Sequence, residues 1–127
     1  MAMHSDASRV GYGGTLAFEL GAGSSGQWSS QGFWTSDDHR SSITLLELRA
    51  VRLLLGRAFA HYVRQFKQRR LLLHEDNQAM VAIVNAMVPD SKPMMSEVRK
   101  LQELLQAHHV TLDARWIPKE VNMLADS

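Results

Sequence analysis

The sequence contains no cysteine and only three prolines in 127 residues. Without thiols there is no disulfide scaffold, no thiolate zinc site and no cysteine nucleophile. Long hydrophobic runs are missing too. Apolar runs such as Leu71-Leu72-Leu73 are only a few residues, far short of the ~18 apolar residues a membrane-spanning helix needs. The start, Met1-Ala-Met-His-Ser-Asp, reaches polar residues at once and does not resemble a secretory signal, so an intracellular, non-secreted protein with no membrane partner is expected. Excess charge of one sign is also absent: 14 Lys+Arg against 13 Asp+Glu leave a formal net charge of +1. That balance gives no bulk electrostatic pull toward nucleic acid or acidic partners. What remains is a chain with 45% hydrophobic residues, long enough to bury roughly two thirds of its unfolded surface in one core. A single domain over 1–127 is expected.

No repeat, low-complexity tract or linker divides the chain. Residues 3 to 35 are rich in Gly, Ser and aromatics and read as two or three short strands, with turns at Arg9-Val10-Gly11 and Gly21 to Gly26. From Ser42 the pattern changes: Ile43, Leu46, Ala50, Val51, Leu54 and Ala58 recur at spacings of three and four, a helix with one buried stripe. Ser41 or Ser42 supplies its N-cap, and Gly56 weakens it without ending it. Leu71 to His74 reads as a buried strand, Ala79 to Met87 as a second helix, and Pro93 opens a third carrying Met94, Val98, Leu101, Leu104 and Leu105. Thr111 to Ile117 is a last strand, stopped by Pro118. The order β-β-β-α-β-α-α-β implies an antiparallel meander joined to a parallel part, hence an α/β fold with a mixed sheet flanked by helices. The methionines at 80, 87, 94, 95 and 123 read as core filler, Trp28, Trp34 and Trp116 as core residues, and His108-His109 as an exposed helix end.

Most of the acids read as solvated. Glu97 and Glu103 are placed on the wet side of the third helix near Arg99 and Lys100, and Asp37 and Asp38 in a polar turn. Four acids differ. Glu47 falls on the apolar stripe of the first helix, where an ionised carboxylate is costly unless it meets a cation. Asp76 follows the buried strand at its junction with a helix, and the carboxyl ends of parallel strands are where ligands gather in open α/β sheets. Asp6 lies within the first strand, where Asp is intrinsically unfavourable. Asp126 comes after the last strand, where a final helix would start. Structural roles are open to each: Asp76 as an N-cap, Asp126 in a first helical turn, Glu47 paired with Arg49 or Arg52, Asp6 holding a turn with Ser8. Four acids converging on one sheet edge would instead repel one another, and hard divalent cations with oxygen ligands relieve that repulsion. Two such ions can activate a water and stabilise the leaving oxygen of a phosphodiester.

Four segments resemble the ribonuclease H domain of retroelement reverse transcriptases, of the LTR, DIRS-like and pararetroviral kind. They are Asp6-Ala7-Ser8 with Gly11-Tyr12-Gly13-Gly14, then Leu46-Glu47-Leu48-Arg49-Ala50, then Asp76-Asn77-Gln78-Ala79, and last Arg115-Trp116-Ile117-Pro118 with Asn122 and Ala125-Asp126-Ser127. The acids run Asp, Glu, Asp, Asp along the chain, whereas in the related integrases and transposases the glutamate comes last. The resemblance implies a five-stranded sheet of order 3-2-1-4-5 and metal-dependent hydrolysis of the RNA strand of RNA–DNA hybrids, leaving 5′-phosphate and 3′-hydroxyl ends. It makes Asp6, Glu47, Asp76 and Asp126 the catalytic ligands of two Mg²⁺ ions, with Mn²⁺ as a substitute. It makes Ser8, Gly11, Gly13, Asn77, Gln78 and Asn122 contacts to the hybrid. Its partner would be the polymerase domain of the same polyprotein, and its location the cytoplasm, a virus-like particle or the nucleus.

Two departures from the family stand out. The loop histidine of cellular relatives is missing from Pro118-Lys119-Glu120-Val121, and the chain stops at Ser127, where the family continues into a helix. A domain without its complete C-terminal helix is therefore expected. The basic stretch Arg64 to Arg70 reads as either a phosphate contact or a solvated helix end. The Val88 to Lys92 segment is too short for the basic protrusion with which cellular relatives grip the hybrid. The alternative to an enzyme is a catalytically silent ribonuclease H-like module that binds nucleic acid or a partner; another is a related nuclease acting on a different substrate.

Overall fold

The computed structural model describes residues 2–21, 24–35, 42–61, 69–89 and 91–119. Five strands and three helices follow the order read from the sequence: β1 (Ala2–Ala7), β2 (Gly11–Gly21), β3 (Ser24–Phe33), α1 (Ile43–His61), β4 (Arg69–Glu75), α2 (Gln78–Ala86), α3 (Lys92–Ala107) and β5 (Val110–Trp116). The strands form one sheet of order β3-β2-β1-β4-β5. The β1–β2 and β2–β3 pairs are antiparallel, and β1–β4 and β4–β5 are parallel. The mixed α/β sheet of order 3-2-1-4-5 is thus present.

Local chemistry sets each junction near the carboxyl end of β1. After β1 the chain reverses at Ser8, whose N–H donates to the Gly11 carbonyl at 2.9 Å. The Ser8 hydroxyl accepts from the N–H groups of Val10 and Gly11 at 3.2 and 3.3 Å, the local side-chain-to-backbone bonding that makes serine a turn residue. The Trp34 indole N–H clamps the turn from outside by donating to the Ser8 carbonyl at 2.7 Å. Helix α1 starts at Ser42, whose hydroxyl accepts from the Leu45 N–H, so Ser42 is the N-cap. Asn77 caps α2 through its Oδ1, and Ser91 caps α3, with Pro93 in the first turn.

All three helices lie on one face of the sheet, over Met3, Ser5, Leu16, Leu71, Leu73, Glu75, Leu112 and Ala114. Close approach is permitted by Gly14. A Cβ there would stand 2.6 Å from the His4 carbonyl oxygen and 2.8 Å from Leu54 Cδ1, so only glycine lets α1 rest on the strand pair. Helix α1 touches the sheet together with α2 and α3. Its buried surface is therefore wider than one stripe, running from Leu45 through Leu48 and on to Phe59. Asn85 ties α2 to β5 by donating to the Ala114 carbonyl at 2.9 Å and accepting the Ala114 N–H at 2.8 Å.

Several packing expectations need correction. Ile43 lies in the first turn of α1, outside the core, and Met95 in the first turns of α3; both are exposed. Trp116 is half-exposed rather than buried: it is the last residue of β5, at the end of the sheet edge. His108 is half-buried, with its ring 4.5 Å from that of Phe59 and its Nδ1 3.0 Å from the Leu104 carbonyl oxygen. The largest correction concerns Glu97. It is 2% exposed and faces α1, where Arg49 Nε reaches its Oε1 at 2.8 Å and Arg52 Nε its Oε2 at 2.6 Å. Two guanidinium groups compensate its burial, and they hold its carboxyl below the ordinary value despite that burial.

Candidate metal centre

Parallel pairing of β1 with β4 brings the carboxyl ends of both strands to one edge. Met3 is opposite Leu73 and His4 opposite His74. Two residues further along the chain stand Asp6, still in β1, and Asp76, just past the end of β4. Helix α1 crosses the same edge with its second turn, and its N-cap register turns Glu47 inward. Carboxylate oxygens of Asp6, Glu47 and Asp76 lie within 4.8 Å of one another. Asp6 and Asp76 are half-buried, and Glu47 is 6% exposed.

Hydrogen bonds and charges around the trio set its electrostatics. Asp6 Oδ1 accepts the Ala7 N–H at 2.9 Å. Burial raises the Asp6 carboxyl and the Asp76 charge adds to this, while the Ala7 N–H and the Lys119 charge oppose it. Glu47 is pushed up to about 7, chiefly by burial, with the charges of Asp76 and Asp6 adding and hydrogen bonds from the Asn77 side chain and Glu75 opposing. Arg49 and Arg52, the cations nearest Glu47 in sequence, are bound to Glu97 instead. Asn77 also joins α1 to α2: its Nδ2 donates to Thr44 Oγ1 at 3.2 Å while its Oδ1 accepts the Met80 N–H. The β5 end braces the backbone on the far side. Trp116 Nε1 donates to the Asp76 carbonyl at 3.2 Å, and the Ile117 N–H donates to the Glu75 carbonyl at 3.0 Å.

A further acid, Glu75, escaped the reading of the sequence. It is 0% exposed and lies on the helix-covered face of β4, with the Ser5 hydroxyl donating to its Oε2 at 3.3 Å. Burial first, then the charges of Glu47 and Asp76, push its carboxyl up to about 9, against the Ser5 hydroxyl and the Asn77 N–H. The two-residue alternation Leu71, Leu73, Glu75 placed it on the buried face, and that signal was available from sequence.

The remaining site candidates divide. Ser8, Gly11 and Gly13 line an open groove of about 1110 Å³ that starts at Asp6 and also takes in Thr15 and Gln31. Gln78 is exposed at the start of α2, and Asn77 is half-buried. Asp126 and Asn122 lie outside the described residues, as do Arg64 and Lys67 of the basic stretch. Arg70 forms an exposed ion pair with Asp113. Among the described residues, no helix is long and apolar enough to cross a membrane.

The donor set fits a hard divalent cation: three carboxylates from three elements converge, and the buried Glu47 Oε2 receives no hydrogen bond. Oxygen-only sites of this kind suit Mg²⁺ or Mn²⁺.

The sequence matches no protein-family model and no curated protein. Solved structures do match. Ribonuclease H1 of the halophilic archaeon Halobacterium salinarum aligns at 15% identity and a TM-score of 0.66, over 98% of this chain and 89% of that one. LC11 ribonuclease H1 in complex with an RNA/DNA hybrid aligns at 14% and 0.68, over 98% and 88%. The prototype foamy virus protease-reverse transcriptase aligns at 16% and 0.51, over 98% of this chain but 19% of that much longer one. At these identities the likeness is one of fold: strand order, helix placement and acid-bearing edge together make this a ribonuclease H fold.

Proposed function

We propose that the protein is a divalent-metal-dependent endoribonuclease that hydrolyses the RNA strand of RNA–DNA hybrids, as the ribonuclease H domain of a retroelement reverse transcriptase polyprotein. The observation that carries this reading is the convergence of Asp6, Glu47 and Asp76 within 4.8 Å at the carboxyl ends of paired parallel strands. A buried carboxylate raised to about 7 by burial and by its neighbours is an unfavourable element of a purely structural edge. It becomes favourable once positive charge is bound. Neighbours of the same fold, one bound to an RNA/DNA hybrid and one joined to a reverse transcriptase, support the choice of substrate and polyprotein.

In this reading Asp6, Glu47 and Asp76 would hold two Mg²⁺ or Mn²⁺ ions, with Asp126 as the fourth acid. Such a centre would supply a bound water with a lowered pKa, deprotonated to attack phosphorus, and positive charge that stabilises the leaving oxygen. The chain's own contributions are positional. Asp6 and Asp76, being half-buried, present oxygens at the surface, whereas Glu47 approaches from the core side. The Ala7 N–H and the Trp116 indole fix the two aspartates from opposite ends, the first through the carboxylate and the second through the backbone. The groove along Ser8, Gly11 and Gly13 has small side chains that allow a sugar–phosphate backbone to approach closely, and a 2′-hydroxyl there distinguishes RNA from DNA.

The test is cleavage of a labelled RNA–DNA hybrid with Mg²⁺ or Mn²⁺, beside Asp76→Asn. Metal-dependent cutting that disappears in the variant supports the reading, and cutting retained by Asp76→Asn under the same conditions sinks it. Metal-independent binding of the hybrid with no cleavage would point to the silent binding module instead.

A further inference from the structure

Asn77, the residue after Asp76, is half-buried, and its side chain is engaged inside the fold at both ends. Its Oδ1 accepts the Met80 N–H at 3.2 Å and caps α2, while its Nδ2 donates to Thr44 Oγ1 at 3.2 Å. A cap needs only the first of these bonds, and serine or aspartate makes it as well. The second is a tertiary contact to the first turn of α1. Thr44 and Glu47 are three residues apart in that helix and so share one of its faces. The bond therefore fastens the part of α1 that carries Glu47 to the segment that carries Asp76. Carboxylates of Asp6, Glu47 and Asp76 lie within 4.8 Å of one another. Without a cation between them they repel, and that repulsion works to separate α1 from the strand ends. The Asn77–Thr44 bond holds the two segments together without adding charge to the edge.

We propose that Asn77 is a positioning residue for the metal centre: its amide, bound to Thr44, fixes the start of α1 against the end of β4 and so sets Glu47 beside Asp6 and Asp76. This rests on the metal-centre reading and deepens it, since it names the contact that keeps the ligands together before a cation arrives. Groups that orient ligands from outside the coordination sphere are a general requirement of metal sites, and donors fixed in advance lower the entropy lost on binding. Asn77 thereby acts within the fold, in place of the contact to the hybrid that the family resemblance implies. The other end of α2 is tied by a different asparagine. Asn85 exchanges two hydrogen bonds with the Ala114 backbone in β5, at the opposite end of α2 from the acids. It supports the same helix without linking the segments that carry the ligands.

The test uses the whole chain with Thr44→Val, Thr44→Ser, Asn77→Ser and Asn85→Ala. Thr44→Val keeps the shape of the side chain without its acceptor, and Thr44→Ser restores the acceptor. Asn77→Ser keeps the cap but lacks the amide that reaches Thr44. Calorimetric titration with Mn²⁺ is expected to show a loss of about 10-fold for Thr44→Val and for Asn77→Ser, the lower end of outer-shell effects. Thr44→Ser should bind with near-parental affinity. Combining Thr44→Val with Asn77→Ser should lose no more than either alone, because both remove the same bond. Asn85→Ala should lower the urea midpoint and leave Mn²⁺ affinity unchanged. Parental affinity in both Thr44→Val and Asn77→Ser overturns the proposal. So do additive losses in the combined variant, and so does an equal loss in Asn85→Ala, which would make the effect one of general stability. The metal-free protein provides a second readout, the Asn77 side-chain amide ¹H–¹⁵N resonances, assigned by their disappearance in Asn77→Ser. They should shift in Thr44→Val and return in Thr44→Ser. If the parent protein binds no Mn²⁺, the metal reading falls and the positioning role falls with it. If the parent binds Mn²⁺ but the amide is indifferent to Thr44→Val, the metal reading stands and the role of Asn77 is wrong.

Discussion

Helix α1 carries two polar regions two residues apart, and they behave in opposite ways. On one side Glu47 enters a cluster of acids; on the other Arg49 and Arg52 receive Glu97 from α3. Glu47 and Glu97 are the same residue type and almost equally buried, at 6% and 2% exposure. Glu47 nevertheless rises to about 7, while Glu97 falls below its ordinary value. Burial acts on both in the same direction, so the difference comes from partners: two guanidinium groups for Glu97, and carboxyls for Glu47. The Glu97 seam is complete as it stands and holds two helices together. The Glu47 edge has no such cation partner, and that is the feature on which the proposed metal centre rests.

Removing Glu97 should have the largest effect. Glu97→Ala leaves the two α1 guanidinium groups without their carboxylate partner at the interface with α3, and a loss of about 3 kcal/mol is expected, read from urea unfolding. A change below ~1 kcal/mol, the scale of a surface ion pair, would mean that the seam is no better than an exposed one.

The two regions should also respond oppositely to pH. Glu47 and Glu75 have folded-state values raised to about 7 and about 9 from 4.5. The stability they contribute is present below 4.5 and is lost as pH rises through those values. Glu97, being lowered, contributes stability above 4.5 that is lost on acidification. The metal-free protein should therefore lose on the order of 2 kcal/mol between pH 5 and 9, after allowing for solvent screening. The measurement is the unfolding midpoint across that range. A flat or rising profile would contradict the assignment of Glu47 and Glu75.

Glu47→Gln sharpens the contrast, because it should do the reverse of Glu97→Ala. Removing a like charge from the acid edge is expected to stabilise the metal-free protein at pH 8 by about 1 kcal/mol, while abolishing any rise in melting temperature on adding Mn²⁺. Destabilisation at pH 8 would show that Glu47 is paired structurally, as Glu97 is.

The smallest effect serves as a control on the same helix. A Cβ at Gly56 would meet nothing within 4 Å, and Gly56→Ala should stabilise by about 0.5–1 kcal/mol without altering the pH profile or Mn²⁺ binding. A loss of stability would indicate that α1 is more constrained at Gly56 than its surroundings show.

Much of this molecule was legible in its sequence because the signals were local. Apolar spacing located α1 and α3, Ser42 caps α1 as one of the two serines named for it and Pro93 opens α3, while Asn77, not Asp76, caps α2, and the order of strands and helices required a mixed sheet. Asp6, Glu47 and Asp76 were conspicuous because each acid occupied a position where its type is costly, and the resemblance to ribonuclease H domains supplied their order. Tertiary structure alone decided which acids are compensated. Glu97 looked solvated on its own helix, since its partners Arg49 and Arg52 lie 48 and 45 residues away. Trp116 looked apolar enough for the core, but as the last residue of β5 it is half-exposed. Glu75 differed from Asp76 by one position, yet strand alternation set one behind the site and the other in it. Periodicity is a property of the chain and can be read along it, whereas the electrostatic fate of a buried charge depends on what packing brings within a few ångströms.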